Sequence, residues 1–481
     1  MKKKFGSVIL AGLMACSITA GVGATAGCKV AKITDFVLPK GGYDGSKVSI
    51  TFANTMGQNL ERILSDALAD FKELYPNITV TVDNSQKNYD NLNERIGKQI
   101  LGGKQPNIAY CYPDHVAQYN QSRAVLALDE FFLPGSGHES VKVTNAKGET
   151  ESLGLTQEQV DDYVTEFFNE GRVFEDGHTY TLPFAKSTEV MYYNQTYFDA
   201  HPELTVPKTW KEMAATCAKI RELENNNSKM YPLGYDSDSN FFITLCEQYG
   251  EPYTSATGEH FLFDTEKNRE FMEMLKDWYK DGYFTTEGVY GTFTSDLFTK
   301  QNCYMSIGST GGSSYQDPGT SDNTANFTVG VTTIPQVDPD HPKSILQGPS
   351  VCIFKKSNPQ EVIASWLLVK FLTTDVNFQG RFSETSGYMP VTKTAFNSDA
   401  YQDFLSEVDN TSGLTARAAL ACSELVKKDG FYTSPAFIGS SKAREQVGLI
   451  LSGVLLGTYT DIDTAFKTAI RTCKEFVGDY N

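Results

Sequence analysis

Apolar and polar residues alternate in VSITFAN, residues 48 to 54, as a half-buried strand requires. They then recur every three or four positions through LERILSDALADFKELYP, residues 60 to 76, until Pro76 stops the helix. NITVTVD, 77 to 83, predicts a second strand. YDNLNERIGKQILGG, 89 to 103, predicts a helix closed by glycines, and PNIAYCY, 106 to 112, a third strand. Strands alternating with helices imply a mostly parallel sheet covered on both faces. Residues 133 to 157 are turn-rich and suggest a surface insertion, after which strand character returns near Tyr180. Pro207 and Thr209 open an amphipathic helix. Further helices are predicted over 264–280, 359–373, 400–427 and 441–453, and no internal repeat is found.

One stretch breaks the rhythm. LPFAKSTEVMYYNQTYF, residues 182 to 198, begins as a buried strand, turns polar at Lys186, Ser187 and Thr188, and becomes apolar and aromatic again. A strand that interrupts its burial in this way predicts a crossing between two lobes, with the polar turn facing a ligand.

The N-terminus adds a compartment. Lys2, Lys3 and Lys4 precede an uncharged apolar run ending in ATAGC, the pattern of a secretory signal over residues 1–27. Small residues before Cys28 resemble a lipobox, which would make Cys28 the lipidated first residue of the mature chain, although Thr25 stands where an apolar residue is usual. The alternatives are simple secretion, or a membrane anchor over residues 5 to 27. Residues 28–46, with Gly41, Gly42 and Gly45, suit a flexible tether. Without the leader the chain keeps 39 basic against 59 acidic residues, net −20, which disfavours nucleic acid and anionic lipid as partners. Its length predicts two or three domains. Seven cysteines remain beyond Cys16 and Cys28, an odd number in mostly apolar settings and without a CxxC, so neither a complete disulfide set nor a zinc site is expected.

Catalytic chemistry finds little support. GxSxG, HExxH and P-loop motifs are absent and the six histidines are scattered, so no catalytic residue and no cofactor is predicted. A hidden carboxylate pair of a secreted carbohydrate-active hydrolase remains an alternative. Asp236, Asp238, Asn240 and Glu247 stand at positions 1, 3, 5 and 12 of a calcium loop. Phe241, however, replaces the glycine that the loop's turn needs, so no metal is expected and the segment reads as a turn capping a helix. Aromatic residues make up 12% of the chain, 25 of them tyrosines. Such rings suit sugars, which have an apolar face and a polar rim, and two or three platforms at roughly 2.5 kcal/mol each would support micromolar binding.

Five segments in order, LERILSDALADFKELYPNITV, LPFAKSTEVMYYNQTYF with PKTWKEM, YMSIGST, VCIFKKSNPQEVIASWLLVKFL and SGYMPVTKTAF, resemble the family 1 extracellular solute-binding proteins of ABC importers. That group includes maltose-, multiple-sugar- and glycerol-3-phosphate-binding proteins. The resemblance implies a two-lobed α/β fold of the type II periplasmic-binding-protein kind, with the ligand in a cleft between lobes joined by crossing strands. Lobe one would take 43–184 plus 308–370 and lobe two 187–305 plus 375–481, with crossings at LPFAKST, near 304–310 and near 370–375. It also implies a monomer anchored to the outer face of the cytoplasmic membrane only through its lipid, with a small-molecule carbohydrate and the permease subunits as partners.

Ligand positions carried over from the resemblance are Tyr89, Asp114, Ser187 with Thr188, Ser309 or Thr310, Gly348 and Tyr388, with Tyr235, Phe241 and Phe242 where relatives place a stacking aromatic. The phosphate-binding branch has an arginine two residues before a glycine where PAFIGS puts Phe437. This favours a neutral oligosaccharide over glycerol phosphate or a glycerophosphodiester. An adhesin that merely displays sugar affinity is a further alternative.

Overall fold

Ile50 and Phe52 of β1 (Val48–Ala53) are buried while Ser49 is exposed, so the alternation in the sequence is the inside and outside of a sheet. In the computed structural model, which describes residues 35–86, 88–132, 136–320, 327–408 and 413–478, β1 is followed by β2 (Ile78–Asp83) and β3 (Ile108–Cys111). Next come a hairpin of β4 (Lys142–Thr144) and β5 (Thr150–Ser152), and then β6 (Leu182–Pro183). The second lobe holds β7 (Glu189–Asn194), β8 (Tyr231–Tyr235), β9 (Phe284–Thr286), β10 (Cys303–Ser309) and β11 (Val329–Thr333). The chain then runs through β12 (Ser344–Ile345), β13 (Ser350–Ile353) and β14 (Phe431–Tyr432). Cys28, the leader expected over 1–27 and the first part of the 28–46 tether lie outside the described residues.

Two five-stranded sheets result, in the orders β2-β1-β3-β13-β6 and β11-β7-β10-β8-β9. The sequence predicts mostly parallel sheets, yet each is mixed. β13 runs antiparallel to β3 and β6, and β7 antiparallel to β10 and β11. The cause is the crossing chain: a strand arriving from the other lobe enters the sheet without the helical crossover that enforces parallel pairing. Each sheet has its own core. In the first, Phe52 packs edge-on against Tyr110 at 5.5 Å and Trp366 stacks on Phe131 at 4.4 Å; in the second, Tyr235 stacks on Phe241 at 4.3 Å.

The two cores divide the chain differently from the expected boundaries. β11 lies inside 308–370 but pairs with β7 in the second sheet. The helix Val376–Ser386, inside 375–481, places Phe378 and Phe382 in the first core, so the chain does not cross near 370–375. It crosses instead between Ile345 and Leu346, and again between Phe431 and Tyr432, whose side chains belong to different cores. Local pattern could not reveal this, because membership of a core is decided by contacts distant in sequence.

The polar turn of the first crossing is buried. Lys186, Ser187 and Thr188 are 0%, 1% and 0% exposed. Ser187 exchanges backbone hydrogen bonds with Gln347, the Lys186 N–H donates to the Met389 carbonyl, and the Thr188 hydroxyl donates to the Ile345 carbonyl at 2.7 Å. The residues are polar because a crossing segment outside both sheets must satisfy its groups individually. All seven described cysteines are free and buried, and no helix among the described residues is long and apolar enough to cross a membrane.

Candidate functional site

A cavity of about 730 Å³ lies between the lobes, lined by both. On the first-lobe side it is built at the ends of strands. Asn88 caps the helix Tyr89–Leu101 by accepting from the Asn91 N–H at 2.9 Å, which sets Tyr89 at the first helical position. β3 ends at Cys111, and Tyr112 leads directly into the helix Pro113–Asn120, which carries Asp114. The Tyr89 and Tyr112 rings lie 4.8 Å apart and tilted, forming one aromatic wall. Burial pushes both hydroxyls well above their ordinary pKa, so they stay protonated and able to donate.

The second-lobe side is formed by two helices. Asp238 opens Asp238–Tyr249, capped by Ser237. Its carboxylate accepts from the Thr286 hydroxyl at 2.6 Å and the Gly288 N–H at 2.9 Å, and burial pushes its pKa up. The helix Ser440–Leu455 turns Ser441, Arg444, Glu445, Leu449 and Ser452 toward the cavity, the three-and-four spacing of one helix face. The Arg444 guanidinium donates to the Asn240 amide oxygen; the Asn240 amide nitrogen donates to Glu189 at 2.6 Å, and the Tyr235 hydroxyl donates to the other Glu189 oxygen at 2.5 Å. Burial raises Glu189 to a pKa of about 7 against the pull of these donors.

The two sides touch. Ser441 donates to Asp114 at 2.9 Å, a hydrogen bond between lobes made by two residues of the cavity wall. Glu170 reaches the cavity from the crossing region, where it pairs with the buried Lys186 and accepts from the Ser350 hydroxyl at 2.7 Å. Six carboxylates, those of Asp90, Asp114, Glu170, Asp238, Glu287 and Glu445, thus share the wall with one arginine. Burial, with Asp236 and Asp238 nearby, also raises Glu287. Such a surface offers acceptors to hydroxyl groups and disfavours anions.

Of the residues predicted from the sequence, Tyr89 and Asp114 line the cavity. Tyr388 is hydrogen-bonded to Tyr89 but does not itself line the cavity. Ser187, Thr188, Ser309 and Thr310 meet one another at the crossing, where the Ser309 hydroxyl donates to that of Ser187 at 3.2 Å and the Thr310 N–H to the Thr188 carbonyl. They fasten the hinge rather than the wall. Gly348 is also a hinge residue: its φ is +88° and a Cβ there would stand 2.3 Å from the Ala185 carbonyl oxygen. Phe241 and Phe242 are fully buried in the second core, because their helix is buried on nearly every side and packs against Ser440–Leu455, and Tyr235, at the end of β8, is buried with them through its stacking on Phe241. Phe437 is likewise buried, stacked on His260 at 4.5 Å, so it carries no choice between sugar and phosphate. Asp236, Asp238, Asn240 and Glu247 do not wrap a loop. The last three are helical, and among the described residues no group of three or more potential ligands could hold a metal.

Sequence reasoning missed Tyr112, Tyr253, Ser441 and Arg444. Tyr112 had a signal, since in α/β sheets ligands gather beyond the carboxyl ends of strands. Arg444 had none, being one polar position on an amphipathic helix.

A sequence model of bacterial extracellular solute-binding proteins matches residues 66–404. Binding proteins of Brucella abortus are 26% identical over 255 residues, 51% of this chain and 60% of their own length, so the chain spans less than two thirds of these curated relatives. The sn-glycerol-3-phosphate-binding periplasmic protein UgpB of Yersinia enterocolitica is 27% identical over 311 residues, 60% of this chain and 66% of that protein. Among solved structures, UgpB from Mycobacterium tuberculosis in complex with glycerophosphocholine superposes with a TM-score of 0.70 at 16% identity, covering 90% of this chain and 99% of that one. Lmo0181 from Listeria monocytogenes in complex with cycloalternan gives 0.68 at 16%, over 90% and 100%. These structural likenesses show the fold.

Proposed function

The chain belongs to the bacterial extracellular solute-binding proteins, and we propose that it captures a neutral sugar, an oligosaccharide by the size of the site, between its lobes for delivery to the permease of an ABC importer. The observation that carries this reading is the cavity wall, with tyrosine faces on one side and carboxylates outnumbering arginine six to one. Tyrosine rings cover the apolar face of a pyranose, and carboxylates accept from its hydroxyls. The protein acts by closure and not by covalent chemistry. A sugar that touches both lobes binds the closed form better, and inverting a 1:99 population requires about 5.5 kcal/mol of that preference. A monomer held outside the cytoplasmic membrane through lipid on Cys28 completes the reading.

A glycerol phosphate or glycerophosphodiester is the second reading, favoured by the position of Arg444 in the wall. Melting the protein with maltotriose, a mixed oligosaccharide panel, sn-glycerol 3-phosphate and glycerophosphocholine separates the two. A ligand at 100 times its dissociation constant adds about 2.7 kcal/mol to stability. A shift with saccharide alone, retained in R444A, supports the first reading. A shift with the phosphates alone, abolished in R444A, establishes the second. Reducing sugar released from the panel would indicate a hydrolase instead.

A further inference from the structure

Glu189 begins β7, one residue after the first crossing, and is 1% exposed, with no place in the cavity wall. A buried carboxylate at a hinge calls for an explanation, since leaving it there has an energetic cost. Its two oxygens are both engaged, one by Tyr235 and one by Asn240. An asparagine amide has one acceptor face and one donor face. With its nitrogen committed to Glu189, Asn240 must present its oxygen the other way, and that oxygen holds Arg444 at the cavity.

We propose, building on the reading of this cavity as the ligand site, that Glu189 is a positioning residue for ligand capture: by fixing the Asn240 amide it aims the Arg444 guanidinium, and its protonation loosens that aim. The other titratable groups facing Glu189 are Tyr235 at the end of β8, Asp236 just after it, Tyr432 from β14 and Arg444 itself. The tyrosines stay protonated through neutral pH because burial raises both. When Glu189 takes a proton, one of its oxygens becomes a donor. Where that donor meets Asn240, the amide turns over and its nitrogen faces the guanidinium, donor against donor. Lower pH therefore frees Arg444 to move into the cavity, and the site offers a mobile cation only in its acid form.

The test needs no ligand, so it fails or succeeds independently of what the cavity binds. Arginine side chains are labelled with nitrogen-15 and followed by NMR from pH 5.5 to 8.5, the Arg444 signal being assigned by its loss in R444K. In the wild type that signal should shift with a midpoint near 7, the value to which burial brings Glu189. In E189Q the midpoint should vanish. N240S keeps the carboxylate but removes the relay, and should reduce the amplitude of the shift about twofold or more. If E189Q does not fold, N240S and the wild type decide alone. A flat wild-type signal, a titration that persists in E189Q, or full amplitude in N240S would overturn the proposal, the last because Arg444 would then sense only charge through space.

Discussion

The Ser441 hydroxyl and the Asp114 carboxylate, from helices in different lobes that both line the cavity, are hydrogen-bonded at 2.9 Å. Asp114 also accepts from the His115 N–H at 2.9 Å, so the carboxylate is held in place on its own helix while it reaches across. A hydrogen bond to a charged acceptor contributes about 1.5–3 kcal/mol when it replaces water. Partial solvent access at this site places the value at the low end. The S441A variant should therefore populate the open form more, with a larger radius of gyration by small-angle scattering and affinity for the bound solute lowered up to about tenfold. Identical scattering curves would show that the contact plays no part in closure.

At Gly348 the backbone conformation and the neighbouring chain act together. A Cβ would meet the Ala185 carbonyl oxygen at 2.3 Å and the Lys186 Cα at 2.9 Å, both backbone atoms with no room to retreat, and the φ of +88° disfavours any side chain. We expect G348A to lose about 3 kcal/mol or more, measured by urea unfolding. A loss below 1 kcal/mol would mean that the two crossing segments slide apart freely.

The buried pair at the first crossing is sensitive to which partner is removed. Lys186 is 0% and Glu170 2% exposed, so K186M leaves a carboxylate buried without its cation, at a cost of about 3–5 kcal/mol. Adding E170Q removes that charge and should recover a substantial part of the loss. Equal unfolding free energies for the single and double variants would contradict this.

Glu189 gives a pH dependence whose sign is fixed. Its pKa is raised in the folded chain, from 4.5 to about 7, first by burial. The folded state therefore holds the proton more tightly than the unfolded state. The resulting stabilisation is complete below about pH 4.5 and disappears as the pH rises through about 7. Between those limits the wild type should lose about 3 kcal/mol more stability than E189Q. Melting curves across this range test it, and parallel slopes for the two proteins would show that Glu189 titrates at an ordinary pKa.

The sequence carried the repeating elements well because their signals are local. The alternation in VSITFAN and the cap before Tyr89 depend on residues within a turn or a strand of each other. The break in LPFAKSTEVMYY likewise marks a crossing, since a strand has to leave one core before it enters another. The face that each residue presents is another matter. Phe241 and Tyr235 are aromatic enough for a sugar platform, but a helix from the far end of the chain packs on the helix of Phe241, and Tyr235 is stacked on Phe241 in the core. Arg444 reaches the cavity beside Asp114 although 330 positions separate them in sequence. Antiparallel pairing escaped for the same reason: β11 resembles any short strand until β7 is beside it.

The path of the chain between lobes bears on the order in which the molecule can be completed. The first core takes its last residue from Phe431, whereas the helix Ser440–Leu455 packs on Asp238–Tyr249, so the second half is not finished until the last tenth of the polypeptide has arrived. A polypeptide threaded through a narrow export pore from its first residue onward would keep its second core open to water for nearly the whole passage. It would remain pliable enough to thread, and would become rigid only on the far side.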